Sequence, residues 1–141
     1  MNTEFTIIKG LGLTPGDTVI SPKSSFEVVQ HYALYLGQDY GGNHYMCENA
    51  YGKGVKLTRV QDYFTEYTKL TSIKRFTGNH QERINAVQYA LTRLGRSYDL
   101  INYNCEHFVN DVLFKKPSSK QVANVLVVLG FAFIVKLLVS E

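Results

Sequence analysis

Cys105 is the residue of this chain with the most direct route to nucleophilic chemistry. It follows Asn104 and opens a stretch in which Phe108, Val109, Val112 and Leu113 recur at helical spacing. That pattern predicts a helix from about Cys105 to Phe114, with Asn104 as its N-cap. A thiol in the first turn feels the helix dipole and the unpaired N–H groups, and both favour the thiolate. An ordinary thiol is only about 3% ionised at pH 7, whereas one lowered to about 6 is roughly 90% ionised. The same N–H groups could receive a developing oxyanion. The other reading of Cys105 is a small apolar side chain buried at a helix start. The residue alone leaves both open.

A nucleophilic thiol needs a base. His31 lies in Val28–Leu36, a run rich in β-branched and aromatic residues on both faces, which predicts a buried central strand. Alternation puts His31, Ala33 and Tyr35 on one face. A buried imidazole needs partners for its nitrogens, and a thiolate on a packed helix would be one. A core histidine bonded to backbone is the competing reading. His44 opens the strand after the glycine-rich loop Gly37–Asn43. Pairing across that loop could bring it to orient the His31 ring, the task a carboxylate performs in other triads; a solvated histidine at a loop edge is the plainer alternative. His80, at a helix start, and His107, on another side of its helix, are weaker candidates, and Cys47 reads as core. No C-x-x-C, H-x-x-H or H-E-x-x-H spacing occurs, so no metal is expected, and no organic cofactor is indicated.

The elements that must hold these residues are short. LTPGD (Leu13–Asp17) is a turn, followed by strands at Thr18–Ile20, Val28–Leu36, His44–Asn49, Val55–Thr58 and Leu70–Phe76. Val60–Tyr67 reads as one or two helical turns. A longer helix spans about His80 to Leu94. Asn79 and Glu82 form a capping box there, Ile84, Val87, Leu91 and Leu94 recur at helical spacing, and Gly95 is the stop. The class is α+β, a small antiparallel sheet packed against helices.

Composition fits one domain. The 141 residues are 45% apolar and 19% charged, with eight Phe and ten Tyr, enough to collapse around a core. The net charge of +3 is too small to argue for nucleic acid, and Lys69, Lys74 and Arg75 lack the aromatic interleaving of a nucleic-acid site. The N-terminus has no basic start before a long apolar run, so no signal peptide is expected and both thiols should be reduced.

Composition changes near residue 118. Val122–Val139 is apolar all round except for Asn124 and Lys136. As a helix it is roughly 27 Å long, close to a bilayer core of about 30 Å. The expectation is a domain over residues 1–118 and a C-terminal apolar helix over 119–141 that anchors it to a membrane; a helix packed into the core is the plainer alternative, against which stand the missing polar face and the small domain. Lys115, Lys116 and Lys120 before the segment place the domain on the cytosolic side.

Two motifs resemble a known family. HYALYLG, from His31 to Gly37, is similar to the H-box of the lecithin:retinol acyltransferase family, and NCEHFV, from Asn104 to Val109, to its NC motif. LTPGD, GNH at Gly42–His44, ENAYGKGV at Glu48–Val55 and LGRSYDLINYNC also fit, so the resemblance spans about residues 11–121. It implies a permuted NlpC/papain-like fold in which histidine precedes cysteine. It also implies Cys105 as nucleophile, His31 as general base and His44 as the third polar residue. The loop between His31 and His44 is one residue longer than in the vertebrate lipid enzymes, which makes Glu48 an alternative orienting group. The family's chemistry implies a phospholipid acyl donor, a thioester on Cys105, and an alcohol, amine or water acceptor. The insertion of the retinol-specific enzyme is missing, so retinol is not the expected acceptor. Two other functions use the same residues: an amidase or peptidase with the same Cys-His site, and a non-catalytic membrane-attached interaction module.

Overall fold

A computed structural model describes residues 2–23, 29–125 and 127. Among the described residues five antiparallel strands form one sheet: β1 (Thr18–Pro22), β2 (Gln30–Gln38), β3 (His44–Ala50), β4 (Gly54–Arg59) and β5 (Ser72–Lys74). Their order is β4-β3-β2-β1-β5, so the histidine strand is central, as its two-sided apolar content predicts. Val28, at the start of the predicted strand, lies outside the described residues.

Helices cover both faces. On one side are α1 (Thr3–Leu11) and α2 (Val60–Glu66), packed over Ala33, Tyr35 and Met46. On the other are α3 (His80–Thr92) and α4 (Cys105–Phe114), packed over Leu34, Cys47 and Val55. Helix α1 is absent from the expectations above. Its signals are local: Asn2 caps it through a 3.0 Å bond from the Glu4 N–H, and Gly12 ends it in the left-handed region.

Helix α3 carries the predicted capping box of Asn79 and Glu82, but its buried face is not the predicted apolar stripe. Ala86 and Ala90 face the core, while Ile84, Leu91 and Leu94 are exposed. Polar anchors set this rotation: Tyr89 Oη and Arg93 Nε both donate to the buried Asp111 carboxylate of α4, at 3.0 and 2.9 Å. Two alanines then let the helix lie close to its neighbours.

The chain leaving α3 is pinned to the sheet by backbone bonds between Val55 and Arg96 and between Gly95 and Val55, each 2.9 Å. Gly54 permits this approach, because a Cβ there would lie 2.5 Å from the Arg96 carbonyl oxygen. The loop then reaches α4, where Asn49 Nδ2 donates to the carbonyls of Tyr103 (2.7 Å) and Asn104 (3.2 Å). A side chain of β3 thus holds the residue immediately before Cys105.

Residues 120–125 are helical. Among the described residues no helix is long and apolar enough to cross a membrane. Most of the apolar stretch 122–139, on which the expectation of an anchor rests, lies outside the described residues.

Candidate active site

Asn104 caps α4 as the sequence predicts. Its Oδ1 accepts the N–H groups of Glu106 (3.0 Å) and His107 (3.1 Å), and His107 Nδ1 accepts the Asn104 N–H at 3.1 Å. His107 is therefore part of the cap, which accounts for its place two residues from the cysteine. The cap leaves the N–H of Cys105, at the first helical position, outside these bonds.

Alternation alone would separate Cys105 from His31, because His31 faces α2 whereas α4 packs on the opposite face. They meet at the end of the sheet. The β2–β3 ladder begins at Ala33↔Glu48, so Gln30–Tyr32 extend past it. The N-terminus of α4 fills this opening. Cys105 Sγ lies 3.7 Å from the Gln30 carbonyl oxygen, and the Tyr32 N–H also acts on the sulfur.

Both residues are buried, His31 at 0% and Cys105 at 1% exposure. His31 Nε2 lies 3.2 Å from Glu48 Oε1, and the ring also interacts with the Cys105 sulfur. Neither ring nitrogen completes full hydrogen-bond geometry with a described residue, and Glu48 Oε2 is also unsatisfied. The ring stacks flat on Tyr67, with centroids 4.5 Å apart and planes 4° apart, and lies at a tilt 6.1 Å from Tyr63.

Cys105 and His31 shift each other in opposite directions, each toward its charged form. Burial presses the His31 pKa down, but the neighbouring Cys105 sulfur and Glu48 carboxylate outweigh it, and the net shift is upward. Burial presses the Cys105 thiol up. The imidazolium, the Lys23 charge and the Tyr32 N–H outweigh that, and the thiol ends below its ordinary range. Glu48 is likewise raised by burial and lowered, on balance, by His31. Cys47 makes the contrast: buried beside Glu48 with no cation in play, it is pushed up to about 12, a core thiol as expected. Both cysteines are free.

His44 is not part of this cluster. It pairs with Gln38, seven residues along β2 from His31 and on the order of 20 Å away. Its Nδ1 bonds to Tyr35 Oη at 2.7 Å instead. The hairpin reverses the chain, so the residue just after the loop sits beside the end of β2, while His31 is at its start. Glu48 comes diagonally opposite His31 on the same face. Tyr67, Tyr63 and Lys23 are further members that the sequence analysis did not single out. The available signal was a carboxylate inside the apolar strand MCENA, where only a buried partner explains it.

A cavity of about 300 Å³ opens beside His31, Glu48 and Tyr67, and Lys23, Lys53 and Lys56 add positive charge to its lining. A larger one of about 610 Å³ lies between α3, α4 and β5, reaching neither His31 nor Cys105. Arg75 borders that second cavity but is occupied structurally, donating to Asp17 (3.0 Å) and to the carbonyls of Gly12 and Leu11 (2.8 Å each).

A buried thiol lowered by an imidazolium, with a carboxylate behind the ring, defines a papain-like arrangement in a chain where histidine precedes cysteine. Residues 16–126 match the family described as permuted papain-like amidase enzyme, YaeF/YiiX, C92 family, and the chain belongs to that family. No individual curated protein matches it. The permuted NlpC/papain-like relationship implied by the H-box and NC motifs therefore holds at the level of the superfamily, while the family matched is the amidase one.

Proposed function

We propose that this protein is a cysteine amidase in which Cys105 is the nucleophile, His31 the general base and acid, and Glu48 the group that orients His31. The observation that supports it most is the mutual shift of Cys105 and His31, thiol down and imidazole up, in a fully buried pair. The Cys105 thiolate attacks the amide carbonyl carbon, and the Cys105 N–H at the start of α4 receives the oxyanion. The His31 imidazolium gives its proton to the leaving nitrogen, so an amine departs and a thioester remains. Water then attacks the thioester while neutral His31 takes its proton. Collapse releases the acid and restores the ion pair.

Transfer of an acyl group from a phospholipid ester uses the same steps with a lysolipid oxygen as leaving group. That reading rests on the H-box and NC resemblance and on the apolar stretch 122–139, and membrane attachment on the cytosolic side belongs with it.

Intact-protein mass spectrometry after incubation with acyl p-nitroanilides, short peptides or phosphatidylcholine micelles separates the two. The expected result is an acyl adduct from an amide, absent in Cys105→Ala and formed at least ~100-fold more slowly in His31→Ala. Adducts from phosphatidylcholine alone would replace amide by ester. No adduct from any of them, in folded protein, would overturn the catalytic reading.

A further inference from the structure

Gln30 immediately precedes His31, and its carbonyl is the one that Cys105 Sγ approaches. Neighbouring residues of an antiparallel strand direct their N–H and C=O groups to alternate sides. The Lys23 N–H bonds to the Val29 carbonyl at 2.8 Å, so Val29 faces β1 and Gln30 faces away from it. Pro22, paired with Gln30 in register, has no N–H to give. On the side that Gln30 faces, the β3 ladder has already ended at Glu48. Gln30 therefore presents an N–H and a C=O side by side where another strand would lie, next to the thiol.

A carboxamide occupies that place. The Gln30 N–H donates to Gln121 Oε1 at 2.9 Å, and Gln121 Nε2 donates to the Gln30 oxygen at 3.2 Å. These are the two bonds that one residue of an added antiparallel strand would make through its own N–H and C=O. Gln121 Nε2 and Cys105 Sγ share one carbonyl oxygen, which puts the carboxamide next to the nucleophile. The segment carrying Gln121 is held at the same helix end: Ser119 Oγ and the Gln121 N–H both donate to Glu106 Oε2, at 2.7 and 3.2 Å. Beyond it, residues 123–125 are exposed. The attachment is polar, local and directed at the residue after Cys105.

We propose that the N–H and C=O of Gln30 form the subsite that holds the N–H and C=O of one substrate residue beside Cys105, and that the Gln121 carboxamide fills this subsite as an internal surrogate. The proposal rests on the amidase reading and adds its mode of recognition: an extended substrate paired through backbone-type hydrogen bonds, admitted when residues 119–125 withdraw. Substrates whose residue next to the scissile bond offers both an N–H and a C=O on one side, or a primary carboxamide, bind; esters without the N–H lose one of the two bonds.

The test uses the full chain and two alkylating reagents of similar reactivity. Iodoacetamide carries the same carboxamide as Gln121, and methyl iodoacetate lacks its N–H donors. Each Cys105 rate is divided by the rate with free cysteine. Gln121→Ala and Gln121→Glu, the second keeping the side-chain length while placing an oxygen against the Gln30 carbonyl, are expected to accelerate both reagents. Iodoacetamide should gain about fivefold more than the ester, the worth of one net hydrogen bond. Equal acceleration would make Gln121 a steric cover without amide recognition, and no acceleration would remove it from the site; either overturns the proposal. Acylation of Cys105 is read separately. Selective alkylation without any acyl adduct keeps the subsite and loses the amidase reading, whereas acylation without amide preference in the variants keeps the amidase and loses the subsite.

Discussion

The β2–β3 pair carries a buried histidine near each end, and the two are held in opposite ways. At one end the His44 ring bonds to Tyr35 Oη, and the His44 backbone N–H donates to the buried Glu4 carboxylate at 3.0 Å. Glu4 is also gripped by Arg59 through two bonds of 2.8 and 2.9 Å. At the other end His31 has Glu48 and Cys105 as close neighbours, yet both ring nitrogens and one Glu48 oxygen lack a complete hydrogen bond. Leaving buried polar atoms incompletely paired costs stability, and here the cost falls beside Cys105. The satisfied ring is held within the sheet, where the His44 backbone N–H also ties Glu4 of α1; the unsatisfied one keeps its protons available. Histidine count and burial do not distinguish the two ends. Hydrogen-bond completion does.

The widest split between the ends is expected in catalysis. Glu48→Gln should lower kcat about 10- to 100-fold on the amide that acylates Cys105, as loss of an orienting carboxylate does. It also removes a group that raises His31, so the alkaline limb of kcat/KM should move to lower pH. A purely structural Glu48 would leave that limb in place. A kinetic pH profile decides it.

Stability should respond at the other end. Glu4→Ala orphans the buried His44 N–H, which alone costs about 1–3 kcal/mol, read as a lower urea midpoint with the Cys105 alkylation rate unchanged. The sign with pH is set by the folded value. The Arg59 hydrogen bond outweighs burial and lowers Glu4 below its ordinary 4.5. Its contribution is therefore fully present above the unfolded pKa and is lost as pH falls through the lowered folded value. Acid unfolding of Glu4→Ala should be shallower over that window.

The smallest effect sharpens the contrast most. His44→Gln should cost about 1 kcal/mol, one buried hydrogen bond, and leave both limbs of the kinetic profile where they are. A shifted limb would return His44 to the catalytic group and collapse the distinction between the ends.

Much of the fold was legible because it depends on neighbours in sequence. The Asn104 cap, the Asn79–Glu82 box and the central position of the His31 strand follow from local patterns of capping and burial. The apolar stripe of α3 misled because rotation about a helix axis is set by contacts with distant residues, here Asp111. Helix α1 went unread although Asn2 and Gly12 mark its ends.

Of the site, the types and order of Cys105 and His31 were determined by the sequence alone: a capped thiol at a helix start, and a histidine in a central strand. Their meeting was decided only in three dimensions, because the β2–β3 ladder stops at Glu48 and α4 enters the opening. The choice of Glu48 over His44 has the same origin. A period of two fixes which face a side chain takes, whereas pairing register fixes how far along the strand its partner lies. Register is a property of two segments, the loop between them and the irregularity between Tyr35 and Gly37. Gln121 is the extreme case. It lies 91 positions from Gln30 in the chain, and no local pattern marks a glutamine as the occupant of a strand's hydrogen-bonding edge.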